Sequence, residues 1–240
     1  MWRIAAITPP PASFVQSASS VPPLSYEDIP GHVKAELRKR LFDEQHGRCA
    51  YCERKLTLSN TKIEHFHPQS TPLTSATPAC HSRTDEQDLS RADVSTKNML
   101  LCCLGADSAG RRESTTCDTR KGDEHICETF YSPKQLPDSV VTLVRVEQSG
   151  RVVPDVFPGS AERAVEVVDH TLNLNCDRLR THRRTVFGET LLAFRDVLAR
   201  NRGRRPAASL RREAAAKLRE RALVEPLPST LESAARAIEN

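Results

Sequence analysis

Between residues 32 and 47 apolar positions recur at helical spacing. Val33, Leu37, Leu41 and Phe42 form one stripe with charged residues between them, which predicts an amphipathic helix laying one face on a core. The stripe stops at Gly47, where the cysteines begin. Beyond them the period shortens. Residues 55–59 and 62–66 alternate apolar and polar positions around Asn60, which predicts two strands joined at that turn. Residues 70–97 and 104–116 are polar and turn-rich and predict two loops. Residues 140–146 and 151–153 flank Gly150 and predict a hairpin. The pattern then returns to helical: Ala164, Val167, Val168 and Leu172 over 160–174, and Leu179, Val186, Leu191, Phe194 and Leu198 over 177–200. Two further helices are predicted at 206–223 and 229–239.

The chain thus reads as α+β in three parts: residues 1–30, 31–135 and 136–240. The first part is rich in Pro and Ser and almost uncharged before Glu27, which predicts an extended arm, flexible by itself. With 240 residues, 38% hydrophobic and 5% aromatic, the core is expected to be aliphatic and modest. No apolar run reaches the length of a membrane span, and the opening apolar stretch is too short for an export signal. A cytoplasmic protein without a membrane partner is the expectation. Eight cysteines in such a chain are expected to be thiols, some held by a metal, rather than a disulfide framework.

The net charge of +4 conceals an asymmetry. Residues 176–221 hold 13 Arg and one Lys against five acidic residues, a local +9 that leaves −5 for the rest. A basic surface of this kind suits a phosphate backbone. It equally suits a solvated helix face or a protein-docking surface.

The densest chemistry begins at Cys49-Ala50-Tyr51-Cys52. A C-x2-C turn offers two thiolates to one tetrahedral ion, although one such pair also fits redox chemistry or a chance core pair. Cys102, Cys103 and Cys117 are the candidates to complete a site. Between them, Glu64-His65 joins an oxygen ligand for a hard divalent cation to an imidazole that titrates near neutrality. Asn98 precedes the apolar stretch Met99-Leu100-Leu101, and Cys117 is followed by Asp118 and, three residues on, Lys121.

In this order the blocks CAYC, EHFHP, NMLLCC and CDTRKG resemble the HNH (ββα-metal) endonucleases, in particular the PtuB-type nucleases of Septu anti-phage systems, some of which accompany retrons. RLFDEQHGRCAYCE and TLNLNCDRLRTHR extend the resemblance to about residue 183. It implies a zinc-stabilised ββα-metal core with an N-terminal helix, then a small hairpin and a mostly helical C-terminal region. It implies His65 as general base, Glu64 and Asp118 as ligands of a catalytic Mg2+ or Mn2+, and Asn98 as the residue fixing the His65 loop. Cys49, Cys52, Cys103 and Cys117 would hold a structural Zn2+, with Cys103 chosen over Cys102 because the ligand lies five residues after the Asn. Asp118 departs from the Asn or His common at that place, and can still coordinate Mg2+.

Lys121, Arg180, Arg183 and Arg184 are the expected contacts to nucleic acid, DNA or RNA. His67 is expected to support the site from behind, and His125 is undecided. Cys80, His81 and Cys127 are expected to be loop or core residues. The resemblance implies an endonuclease working with an SMC/ABC-like ATPase of PtuA type. The alternative is a zinc-stabilised nucleic-acid-binding or scaffold subunit without cleavage.

Overall fold

Helix α2 (Gly31–Glu44) forms on the stripe that predicts it and buries Val33, Leu37 and Leu41. It belongs to a computed structural model that describes residues 1–4, 9–69, 91–106 and 114–240. Among these are seven α-helices and two two-stranded antiparallel sheets, an α+β architecture. No helix among the described residues is long and apolar enough to cross a membrane.

Strand β1 (Thr61–His65) pairs with β2 (Met99–Cys103), Ile63 facing Leu101 and His65 facing Met99. This corrects the strand pair expected around Asn60. Residues Leu58–Asn60 form a 3-10 turn, closed by the Asn60 Oδ1 that accepts from the Thr57 N–H at 2.9 Å. The better partner for β1 is the apolar run of β2, whose five residues are all buried. A strand covered on both faces carries no alternation, so its sequence does not announce it. Helix α3 (Cys117–Lys121) follows and completes a β–β–α order.

The N-terminal residues depart from the expected arm. A helix α1 (Ala12–Ala18) packs beside α2 with Phe14 buried. Met1 and Ile4 are buried too, and Arg3 and Trp2 pair with Val141 and Thr142. A few apolar side chains spaced among prolines suffice to dock a segment whose average composition reads as unpacked.

In the C-terminal part β3 (Val144–Val146) and β4 (Val152–Pro154) form the expected hairpin. Gly150 turns it at φ 79°, and a Cβ there would stand 2.0 Å from the Arg180 carbonyl oxygen, so only glycine fits. Helix α4 (Ala161–Glu166), capped by Ser160, passes into a π turn at Val167–Thr171. The long α5 (Asp177–Arg200) has the expected bounds, and α6 (Ala207–Val224) and α7 (Pro228–Glu239) follow. Helix α7 packs on α5, α6 and β3 and is buried almost throughout.

Two residues flanking the C-x2-C turn tie these helices to it. The Arg48 guanidinium donates to the carbonyls of Ala222 and Glu225 at 2.9 and 3.1 Å, at the C-terminal end of α6. The Glu53 carboxylate accepts from the Ser229 N–H at 2.9 Å, at the start of α7, and pairs with the Met1 ammonium at 2.8 Å. A cation thus sits at one helix C-terminus and an anion at the next N-terminus, the favourable sense for both dipoles. Burial alone would raise the Glu53 carboxyl; the ammonium and Ser229 outweigh it and hold it below its ordinary value. Glu53→Ala strands these buried donors and should lower the unfolding free energy by about 1–3 kcal/mol. Glu213→Ala, which removes a surface partner of Lys217 and Arg205, should leave the urea midpoint unchanged.

Candidate metal centre and active site

The C-x2-C turn is a tight knuckle. Cys49 N–H donates to the Arg54 carbonyl and Glu53 N–H to that of Cys49, both at 3.0 Å, with Glu53 in the left-handed region at φ 62°. Ala50 N–H reaches the Leu101 carbonyl at 3.0 Å, which docks the knuckle on β2. The end of β2 brings in Cys103, whose N–H points at the Cys49 sulfur at 3.4 Å. Cys117 opens α3, with its N–H on the Leu172 carbonyl at 2.9 Å.

The four buried sulfurs lie within 4.8 Å of one another, with Cys49–Cys117 at 3.8 Å and Cys52–Cys103 at 3.9 Å. Tetrahedral thiolates at about 2.3 Å from a zinc ion are roughly 3.8 Å apart. The cluster can therefore hold a metal such as zinc. Without a cation the thiols oppose one another. Hydrogen bonds from Cys103, Cys117 and Cys49 pull Cys52 well down, whereas burial pushes Cys49 well up and the other three thiols raise Cys117. One charge is tolerated and further ones are resisted until a cation arrives. Cys102 stands outside the cluster, and burial pushes its thiol up to about 12. The choice of Cys103 over Cys102 agrees with this geometry.

Across β1, strand alternation puts Lys62 and Glu64 on one face. Spacing of three along α3 turns Asp118 and Lys121 towards them. Lys62 pairs with Asp118 at 2.5 Å and Lys121 with Glu64 at 2.8 Å, and the Tyr51 hydroxyl donates to the same Glu64 oxygen at 2.9 Å. Burial and a hydrogen bond with Asp118 raise the Glu64 carboxyl to about 8. Burial would also raise Asp118, but Glu64 and Lys62 hold it below its ordinary value. The raised Glu64 and the lowered Asp118 make Glu64 the partner that takes up a proton first, and each leans on a lysine.

His65 closes β1. Its Nε2–H donates to the Asp93 carbonyl at 2.8 Å, and its Nδ1 accepts from the Gln69 amide at 2.9 Å. Tyr26 stands edge-on to the ring, centroids 4.7 Å apart, so the N-terminal segment covers the site. Burial lowers the His65 pKa against the pull of Asp93, which leaves the imidazole neutral with its lone pair on Nδ1. Asn98 clamps the next residues. Its Oδ1 accepts from the His67 N–H at 2.8 Å, and its Nδ2 donates to the His67 and Ala92 carbonyls at 3.0 and 2.9 Å.

The structure thus brings Glu64, His65, Asn98 and Asp118 to one end of β1 and gathers the four cysteines beside it. Two expected nucleic-acid contacts lie elsewhere in role. Arg183 is buried at 3% exposure and donates to the Leu174 carbonyl at 2.7 Å, and Lys121 is buried on Glu64. Neither reaches an outside phosphate: Arg183 occupies the inward stripe of α5, and Lys121 balances a carboxylate. Arg180 is half-buried and Arg184 exposed. Cys80 and His81 lie outside the described residues. Arg48, Tyr51, Glu53 and Gln69 had no signal beyond their nearness to the motifs.

No protein-family model matches the chain, and a search of curated proteins finds no match. The cluster geometry sets a clear expectation. Cys103→Ser should lose the metal of the four-thiol cluster and most soluble protein, while Cys102→Ser keeps both, as read by elemental analysis and gel filtration.

Proposed function

We propose that this chain is a metal-dependent endonuclease of HNH type that hydrolyses phosphodiester bonds. In this reading it is the nuclease subunit of a two-protein anti-phage system gated by an SMC/ABC-like ATPase. One observation carries the reading: an imidazole held through Nε2 by the Asp93 carbonyl, with Nδ1 turned to the Gln69 amide, stands next in sequence to Glu64, whose carboxyl lies with that of Asp118 between Lys121 and Lys62. The β–β–α order of β1, β2 and α3 supports it.

The donors Glu64 and Asp118 are hard oxygens, and a divalent cation would displace their proton and take over the charge that Lys121 and Lys62 now balance. They would hold Mg2+ or Mn2+, which when bound supplies Lewis-acid polarisation of the phosphate and compensates charge on the departing 3′-oxygen. The chain's own residues do the rest. His65 Nδ1 takes a proton from the attacking water, and the Asp93 carbonyl steadies the imidazolium that results. Gln69 caps Nδ1 at rest and must swing aside first, as befits a nuclease kept silent until triggered. Asn98 holds the backbone beyond His65 so that the ring keeps its aim. Lys62 and Lys121 balance the carboxylates. The four-thiol cluster takes structural Zn2+, which does no chemistry and fixes α3 against β2.

In the reconstituted complex with the ATPase, His65→Ala should lower cleavage by about 10²–10⁴-fold while zinc content and nucleic-acid binding stay near wild type. Asp118→Ala should also inactivate, with partial rescue by raised Mn2+. Cleavage undiminished in His65→Ala overturns the proposal in favour of a binding or scaffold subunit. Arg180→Glu with Arg184→Glu should weaken nucleic-acid binding and flatten its salt dependence. An unchanged slope with loss of ATPase binding assigns that face to the partner protein. Arg183→Glu should instead yield unfolded protein.

A further inference from the structure

A second cluster of metal-ligating side chains lies behind the candidate site. His67, His125 and Cys127 bring one ligand atom each to within 4.8 Å of one another. His67 Nδ1 lies 3.0 Å from His125 Nε2 and 3.5 Å from the Cys127 sulfur. The rings meet edge to face, 87° apart, with centroids at 4.8 Å. His67 and Cys127 are buried, and His125 is half-buried. The four-thiol cluster shares none of these residues.

We infer that His67, His125 and Cys127 form a second zinc site. Two imidazoles and a thiolate are the donors that suit zinc, and the absence of a carboxylate among them disfavours Mg2+ and Ca2+. Ligands at about 2.0–2.1 Å for nitrogen and 2.3 Å for sulfur stand roughly 3.4 Å (N to N) and 3.6 Å (N to S) apart around a tetrahedral ion. The observed sulfur–nitrogen separation matches. The two nitrogens need to open by only a few tenths of an ångström. Nδ1 of His67 faces both a ring nitrogen and a thiol, and the thiol also reaches the Phe66 carbonyl at 3.9 Å. A cation takes all three lone pairs at once.

Both sides of the site are held before any ion arrives. Asn98 fixes the His67 backbone at its N–H and its carbonyl. His125 and Cys127 flank the buried Ile126, whose carbonyl accepts from the N–H groups of Thr129 and Phe130 at 3.0 and 2.9 Å. Ligands fixed by the backbone lose little entropy on binding. A tetrahedral ion keeps a fourth position, and no further ligand for it lies among the described residues.

The site joins two stretches of chain that matter elsewhere. His67 lies two residues after His65, and His125 and Cys127 follow α3, which carries Asp118. An ion there staples the loop of the imidazole to the chain leaving the carboxylate helix. The inference does not rest on the nuclease reading, because its readout is metal content.

The test uses the full chain, purified without a polyhistidine tag or chelator. Elemental analysis should find about two equivalents of zinc. His125→Ala and Cys127→Ser should each bring this to about one, with the four-thiol site still loaded. One equivalent in the wild type, unchanged by Cys127→Ser, overturns the second site. Should those variants aggregate, Co2+ titration of refolded wild-type protein decides. Two saturating steps, one with the strong thiolate charge-transfer of four sulfurs and one weaker, support the site; a single step overturns it.

Discussion

Four buried sulfurs drawn from three separate stretches of chain meet within 4.8 Å, and thiols so placed repel further ionisation until a cation joins them. This is the constraint on which the rest depends. The knuckle supplies two sulfurs, the end of β2 a third and the first residue of α3 the fourth. Fixing them fixes β2 against α3, and through β2 the register of β1. The same knuckle extends outwards through Arg48 and Glu53 to α6 and α7. Basic side chains adjust the local charge: Arg54 and the buried Arg183 both lie close enough to feel the Cys52 thiolate. An ion that binds this centre only in the folded chain adds its binding free energy to folding.

The candidate active site is assembled by periodicity on that frame. Alternation along β1 and a spacing of three along α3 make two lysine–carboxylate pairs face each other. Lys121 is 4% exposed, so this is a buried network, costly unless each charge has a partner. His65, at the strand end, escapes the network and is held by main-chain and amide groups instead. Its proton affinity is therefore set chiefly by burial. Two environments are kept apart over one residue of chain: a charged, compensated pair on the strand face and an imidazole with its pKa lowered by burial at its tip.

Legibility in the sequence followed locality. The stripe of α2, the bounds of α5, the Gly150 turn and the C-x2-C pair are short-range signals, and each reappears in the structure. What escaped depends on partners far along the chain. Strand β2 is buried on both faces and shows no period. The first 30 residues look unpackable on average, yet Phe14 and Met1 find places in the core and Tyr26 reaches His65. Arg183 counts as one more positive charge in a basic stretch until α5 turns it inward to the Leu174 carbonyl. Cys127 and His125 look isolated because the residue that gives them meaning, His67, lies nearly 60 positions away.

The loop that carries His65 is held more firmly than packing alone requires. Asp93 holds the ring, Asn98 grips the backbone two residues on at both polar groups, and the His67 side chain meets His125 and Cys127 on the far side. Burial requires partners for these polar groups, yet Asn98 spends most of its hydrogen-bonding capacity on this one stretch. The restraint is orientational. In the proposed reaction, a base whose lone pair must meet one water in line with one phosphate tolerates errors of only a few tenths of an ångström and some 10–20°. Hydrogen bonds from three directions narrow the loop towards that range, and an ion at the His67 cluster would narrow it further by tying the loop to the chain beyond Asp118. Gln69 is the exposed, long-chained contact on His65, a side chain that can leave the ring without disturbing the frame.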